Sequence, residues 1–191
     1  RHRDESLVTR WIFFRYMVIG TYVGLATVGV FVYWYVYYDW AEDSHTLVTY
    51  AQLSNWVECS TWTDFFIDGL KNKCEYFTNG KAKASTLSLT VLVTIEMFNS
   101  LNALSENNSI LDVGIFDNIW LVLAAGLSML MHSMILYIPV FKIVFQTCEL
   151  SVNDWMVVVG FSFPVILIDE VLKYLARIWN KKGKDALSCF K

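Results

Sequence analysis

WIFFRYMVIGTYVGLATVGVFVYWYVYY, residues 11–38, is a run of mostly apolar residues that contains one charge, Arg15. At about 1.5 Å per residue, a helix of this length can cross a hydrocarbon core of roughly 30 Å. Arg15 lies within about one turn of an end, where its charge can reach the lipid headgroups. The segment therefore predicts a transmembrane helix.

Composition extends this prediction to the whole chain. Hydrophobic residues make up 55% and charged residues only 17%, whereas a soluble domain carries about 25% charged residues. Three further apolar segments lie at about 84–104, 119–140 and 154–178. We predict an all-α, polytopic membrane protein with four transmembrane helices and a long loop over 39–83. Arg1 in place of Met indicates that the chain is part of a larger protein.

The basic residues predict the orientation of these helices. Four spans place both termini on one side of the membrane. Ten Lys and Arg residues lie near the start of the first segment or the end of the fourth, on that side, and five lie on the opposite side. The excess of basic residues places both termini in the cytosol. The loop over 39–83 is then lumenal or extracellular, and the Asn107 glycosylation sequon is cytosolic and unmodified. Because the basic residues sit mainly near the two ends, nucleic acid is not expected as a partner.

Two cysteines, Cys59 and Cys74, lie in the long loop. On the oxidising side of a membrane a disulfide persists, and a bridge would constrain a loop of this length. The compartment favours a disulfide between them, and two free thiols are the alternative.

Glu96 lies in the middle of VLVTIEMFNSLNALSEN, residues 91–107. A charged side chain at bilayer depth costs roughly 2.5–3.5 kcal/mol, so such residues often mark ion pathways. On a helix Glu96 shares a face with Asn99, Ser100 and Ala103. Glu96 and Asn99 could supply part of the oxygen shell of calcium. Alternatively, Glu96 is protonated or bonded to a neighbouring helix, and the pattern leaves both readings open.

Other polar and small residues in the apolar segments predict structure rather than chemistry. Gly20 and Gly24 form a small-residue face for helix packing. Pro164 is expected to kink the fourth segment, and His132 to serve a packing role. Near the end of that segment, charged residues at helical spacing are expected to form ion pairs or reach the headgroups, and these are Asp169, Glu170, Lys173 and Arg177.

The segment TLSLTVLVTIEMFNSLNALSEN resembles the eighth transmembrane helix of the sarco/endoplasmic reticulum calcium ATPases, a P-type ATPase family. The similarity continues along the chain. WIFFRYMVIGTYVGLATVGV is similar to the seventh helix, NIWLVLAAGLSMLMHSMILY to the ninth and FPVILIDEVLKYLAR to the tenth. The long loop also resembles that family's loop with its cysteine pair, which further favours the disulfide between Cys59 and Cys74.

The resemblance implies a specific activity. Pumps of this family move calcium from the cytosol to the lumen of the endoplasmic or sarcoplasmic reticulum, in exchange for protons, driven by ATP. Glu96 matches a glutamate that binds one of two calcium ions, and Asn99 lies next to that ligand. The phosphorylated aspartate, the ATP site and its magnesium belong to a part of the pump that this chain lacks, so the chain alone cannot hydrolyse ATP.

The resemblance also implies partners. Gly20 and Gly24 match glycines that pack against the family's fifth helix, and Phe13 and Tyr16 match residues of an inhibitor pocket. The remaining helices and cytosolic domains of the same pump, membrane lipid and small regulatory membrane peptides are the expected partners.

A different class of protein also has four spans and a long first loop, namely claudin-like junction or scaffold proteins. Trp56 and Cys59 form a W-x-x-C motif, and Cys74 is a second loop cysteine, as in that family. However, the G-L-W tripeptide is absent, and an adhesion protein has no need of Glu96 in its second span. A reading frame that continues for several hundred residues upstream would distinguish the two.

Overall fold

The computed structural model describes residues 10–39, 45–62, 74–78, 80–103 and 118–188. This part of the chain is helical and contains no strand. The helices, in chain order, are α1 (Arg10–Val36), α2 (Tyr50–Ser54), α3 (Glu75–Thr78), α4 (Ala82–Asn102), α5 (Ile119–Tyr137), α6 (Pro139–Phe145), α7 (Val152–Ser162) and α8 (Pro164–Ser188), with a 3₁₀ helix at Trp56–Thr61.

Four segments are long and apolar enough to cross a membrane. They are Trp11–Val36, Glu75–Asn102, Ile119–Tyr137 and Val152–Ile178. The predicted fold class, all-α with four transmembrane helices, is confirmed. The Asn107 sequon lies outside the described residues.

Local sequence explains where the later helices begin and end. Ser151 caps α7 and forms a capping box with Asp154. Helix α5 ends at Tyr137, and Pro139 opens the short helix α6, because proline fits the first turn of a helix. The fourth apolar segment is interrupted at Phe163, where the sequence predicts a kink, since Pro164 has no N–H for the preceding turn. Tyr22 Oη of α1 donates to the Phe161 carbonyl in the last turn of α7, 2.7 Å away.

Helix α4 is the centre of the bundle. It contacts α1, α5, α7 and α8, and its buried positions contribute apolar side chains to one core. Fully buried members of this core include Val30, Leu87, Val91, Ile95, Leu136, Val158 and Val165. The position of α4 relative to its neighbours therefore fixes the position of Glu96.

A disulfide joins two parts of the long loop, the 3₁₀ helix at Trp56–Thr61 and the residue that precedes α3. Cys59 and Cys74 are bonded, with their Cα atoms 5.4 Å apart, which confirms the predicted bridge. We call the end of the helix bundle that carries Cys59 and Cys74 the disulfide end.

Candidate functional site

Glu96 lies on α4 with its side chain exposed. A cavity of about 430 Å³ opens beside it, between α1, α4 and α8. Among the described residues, Glu96 forms no hydrogen bond and no ion pair. The alternative in which Glu96 bonds to a neighbouring helix therefore has no support in this part of the chain.

Two polar atoms of α4 that border the same cavity also lack partners. Asn99 Oδ1 and Asn102 Nδ2 are buried and find no hydrogen-bond partner among the described residues, and both residues line the cavity. A buried oxygen without a donor is costly, so Asn99 Oδ1 suits a cation or a donor that lies outside the described residues. The structure thus brings Glu96 and Asn99 to one cavity, as their spacing predicts.

These oxygens are too few to hold calcium alone. Calcium takes six to eight oxygen ligands, whereas Glu96 offers two and Asn99 one. No group of three or more His, Cys, Asp or Glu side chains suited to a metal occurs among the described residues. Any cation bound here needs further ligands from outside this part of the chain.

An ion network closes one side of the cavity. Arg15 Nη2 lies 2.5 Å from Asp169 Oδ1, and Lys173 Nζ lies 2.9 Å from Asp169 Oδ2. Both Asp169 and Lys173 are almost completely buried. Lys173 Nζ also donates to the backbone carbonyl of Asn102, 3.0 Å away, at the end of α4. The network joins α1, α4 and α8.

The expectation that Arg15 reaches the lipid headgroups is wrong. The sequence places it near a helix end, free to reach the headgroups, but its guanidinium points inward to Asp169. A fully buried carboxylate needs a cation, and Asp169 is 154 positions away in sequence. The predicted pairing of Lys173 with Asp169 is confirmed. Glu170 lies 3.9 Å from the Lys173 ammonium, and the Arg177 side chain is exposed.

One face of α1 is open. Phe13 and Tyr16 are 61% and 65% exposed, and a Cβ at Gly20 or Gly24 would meet no atom within 4 Å. The described residues therefore leave that face uncovered. Helix packing at the two glycines, and an inhibitor pocket at the two aromatic residues, stay predictions.

A second polar cluster lies at the disulfide end and was not predicted from the sequence. Asp154 is buried, accepts a hydrogen bond from Tyr38 Oη at 2.6 Å and lies 2.6 Å from Lys83 Nζ. Lys83 also donates to the Glu149 carbonyl at 2.7 Å. The capping box of Ser151 and Asp154 is a sequence signal for the helix start, but the contacts with Tyr38 and Lys83 depend on the tertiary structure.

His45 holds the long loop against α1 and α3. Its Nε2 lies 2.9 Å from the Trp34 carbonyl and its Nδ1 lies 2.7 Å from Tyr76 Oη. Because a carbonyl only accepts, Nε2 carries a hydrogen. Burial lowers the pKa of His45, against the opposing effects of the Trp34 carbonyl and the Asp39 carboxylate.

We expect the loop to loosen in acid. Because the folded form lowers the pKa of His45, it disfavours the charged ring, so stability falls as pH drops below the ordinary value of 6.5. The protection of the amides of residues 45–62 against hydrogen exchange in the full-length protein, corrected for the intrinsic exchange rate at each pH, should be smaller at pH 5.5 than at pH 7.5. His45→Gln should remove most of that difference, whereas an equal pH effect in both proteins would show that another group is responsible.

Comparison with known proteins identifies the chain. The family described as cation transporting ATPase, C-terminus, matches residues 1–175. The chain belongs to this family.

Individual relatives of this chain are also cation-transporting ATPases. The chain is 50% identical over 192 residues to calcium-transporting ATPase 4, endoplasmic reticulum-type, of Arabidopsis thaliana, covering 93% of this chain and 18% of the relative. It is 49% identical over 205 residues to calcium-transporting ATPase 2, endoplasmic reticulum-type, of the same organism, covering 98% and 19%. A calcium-transporting ATPase of Plasmodium falciparum is 48% identical over 181 residues, covering 93% and 15%.

The chain spans less than a fifth of the length of these curated relatives. The predicted resemblance to P-type calcium ATPases is confirmed. The alternative of a claudin-like junction protein is not supported.

Proposed function

We propose that the chain is the C-terminal transmembrane part of an ATP-driven calcium pump and that Glu96 binds a transported calcium ion. The observation that carries this proposal is the position of Glu96. It lies in a membrane-spanning helix, its carboxylate borders a cavity, and it has no partner among the described residues. Relatives named as calcium-transporting ATPases support calcium as the ion.

The chemistry of the cavity suits a shared ion site. The carboxylate of Glu96 gives calcium a charged ligand, and a bound cation offsets the cost of holding that charge at bilayer depth. Asn99 lies next to the ligand, where its unpaired Oδ1 can accept from water on the ion or orient a neighbouring group. The remaining oxygens come from other helices of the same pump.

The rest of the pump supplies the driving reaction. ATP and magnesium bind to domains outside this chain, where an aspartate is phosphorylated, so the ATP-hydrolase activity belongs to the whole protein. Residues 1–191 act as one C-terminal transmembrane domain that supplies Glu96 and supports the helices carrying the other ligands.

The pump lies in the membrane of the endoplasmic or sarcoplasmic reticulum, with both ends of this chain in the cytosol. The disulfide end is then lumenal, where an oxidising environment maintains the bond between Cys59 and Cys74. This orientation leaves Asn107 unmodified. A glycosidase-sensitive mass shift mapped to Asn107 would contradict it.

The open face of α1 is the contact with another helix of the pump. Gly20 and Gly24 let that helix approach closely. Phe13 and Tyr16 lie at the edge of the contact between the two helices, where an apolar inhibitor can bind. Lipid and small regulatory membrane peptides are the further partners that exposed apolar helices of this kind can take.

The native protein tests the proposal. After capture with an antibody to the tail KKGKDALSCFK, it is incubated briefly with radiolabelled ATP, with and without calcium, and separated on an acid gel. We expect a calcium-dependent, acid-stable label on a polypeptide several times larger than the 22.1 kDa of this chain. An unlabelled polypeptide of 22.1 kDa would overturn it.

A further inference from the structure

Polar contacts hold α4 to its neighbours on both sides of Glu96. On one side Thr90, which is completely buried, lies 3.0 Å from His132 Nε2 on α5. On the other side the Asn102 carbonyl accepts from Lys173 Nζ on α8. Glu96 lies six residues from each contact, or about 9 Å along the helix axis in either direction.

The direction of the Thr90 contact follows from its hydroxyl. Thr90 Oγ1 donates its single hydrogen to the Thr86 carbonyl, 2.8 Å away. His132 Nε2 therefore carries the hydrogen that joins the two helices. His132 is a hydrogen-bond donor between α5 and α4, which extends the packing role expected for it.

The segment between the two contacts has no polar tie to another helix within the described residues. Thr94 Oγ1 donates to the Thr90 carbonyl and Ser100 Oγ to the Met97 carbonyl, both within α4. Apolar helix contacts in lipid lack the hydrophobic driving force available in water, so hydrogen bonds contribute to helix register. The contacts at Thr90 and Asn102 are the polar ties to other helices that lie nearest to Glu96 among the described residues, and the bond from Ser88 to the Thr27 carbonyl lies further away. They therefore bear most directly on the height and rotation of Glu96.

Position matters because of the chemistry at Glu96. Calcium–oxygen distances fall between about 2.3 and 2.6 Å, and a binding site functions only when its ligands are held within roughly 0.5 Å of the required geometry. Thr90 and Glu96 lie about 120° apart around the helix, so His132 can hold α4 from one side while Glu96 faces the ion on another.

We propose that His132, through Thr90, and Lys173, through the Asn102 carbonyl, are positioning residues that set where Glu96 meets the transported ion. The inference rests on the proposed function of Glu96. Neither residue touches the ion. Their effect is on the calcium concentration needed for activation rather than on the rate at saturating calcium.

Substitutions in the full-length pump test this inference. His132→Leu removes the donor, His132→Gln keeps an N–H donor, and Lys173→Met removes the ammonium while keeping the chain length. Ser128→Ala is the matched control, because Ser128 is exposed on α5 and, within the described part of the chain, bonds only to the Ala124 carbonyl of its own helix. Half-maximal calcium, maximal rate and thermal stability are measured for each.

We expect His132→Leu and Lys173→Met to raise half-maximal calcium about threefold to tenfold, the change expected for a lost hydrogen bond between membrane helices. His132→Gln should restore much of the affinity, and Ser128→Ala should change nothing. Thr90→Val should match His132→Leu, and the double variant should be no worse than either, because both remove one contact.

Half-maximal calcium does not depend on how much protein folds, so a purely structural role would lower only the amount of active pump. For a variant that does not accumulate, Thr90→Val or Lys173→Gln provides a milder change at the same contact. Unchanged half-maximal calcium in these variants, together with a shift in Glu96→Ala, would overturn the positioning inference alone. An unchanged Glu96→Ala would overturn the proposed role of Glu96 itself.

Discussion

Asp169→Ala is expected to destabilise the full-length pump by about 3–5 kcal/mol, the cost of removing one partner from a buried ion pair. The change leaves the ammonium of Lys173, which is 0% exposed, and the guanidinium of Arg15, which is 12% exposed, without their shared carboxylate. Arg15 would then lose its carboxylate, and the buried ammonium of Lys173 would keep only the partly exposed Glu170 and the Asn102 carbonyl. Thermal unfolding in detergent or nanodiscs measures the loss.

The neighbouring acid provides the control. Glu170 lies 3.9 Å from the same ammonium, but its side chain is 28% exposed. Partly exposed ion pairs contribute at most about 1 kcal/mol, so Glu170→Gln should be mild. Asp169→Asn keeps the shape of the side chain and removes its charge, so it should resemble Asp169→Ala more than Glu170→Gln. Equal stability of Asp169→Ala and Glu170→Gln would show that the network is not an important support.

Glu96→Ala is expected to raise half-maximal calcium by at least about tenfold, because groups that merely support a metal ligand already account for 10- to 100-fold. Glu96→Gln should be less damaging, since an amide oxygen can still coordinate calcium. Glu96 has no structural partner among the described residues, so neither change should lower the unfolding temperature much. Large effects on calcium with small effects on stability distinguish a ligand from a structural residue.

The sequence predicts the features that depend on local composition. Apolar length predicts the four spans, Pro164 predicts the interruption near Phe163, and the spacing of Glu96 and Asn99 predicts that they face one cavity. The pairing of Lys173 with Asp169 follows from a separation of four residues on one helix. The bridge between Cys59 and Cys74 follows from compartment and resemblance.

Contacts between distant helices are not predictable in this way. Arg15 and Asp169, Lys83 and Asp154, and His132 and Thr90 are each far apart in sequence. Their contact depends on how each helix is rotated against its neighbours. In lipid-facing helices apolar residues surround the whole circumference, so the periodicity that reveals the inward face of a soluble helix is weak.

Calcium binding at equilibrium tests the central claim most directly. Radioactive calcium bound per phosphorylation site is counted for the unchanged full-length pump and for Glu96→Ala, both purified and shown to be folded. We predict that Glu96→Ala binds at least one ion fewer over the calcium range that saturates the unchanged pump. The same number of ions, bound with the same affinity, would contradict the assignment of Glu96 as a calcium ligand.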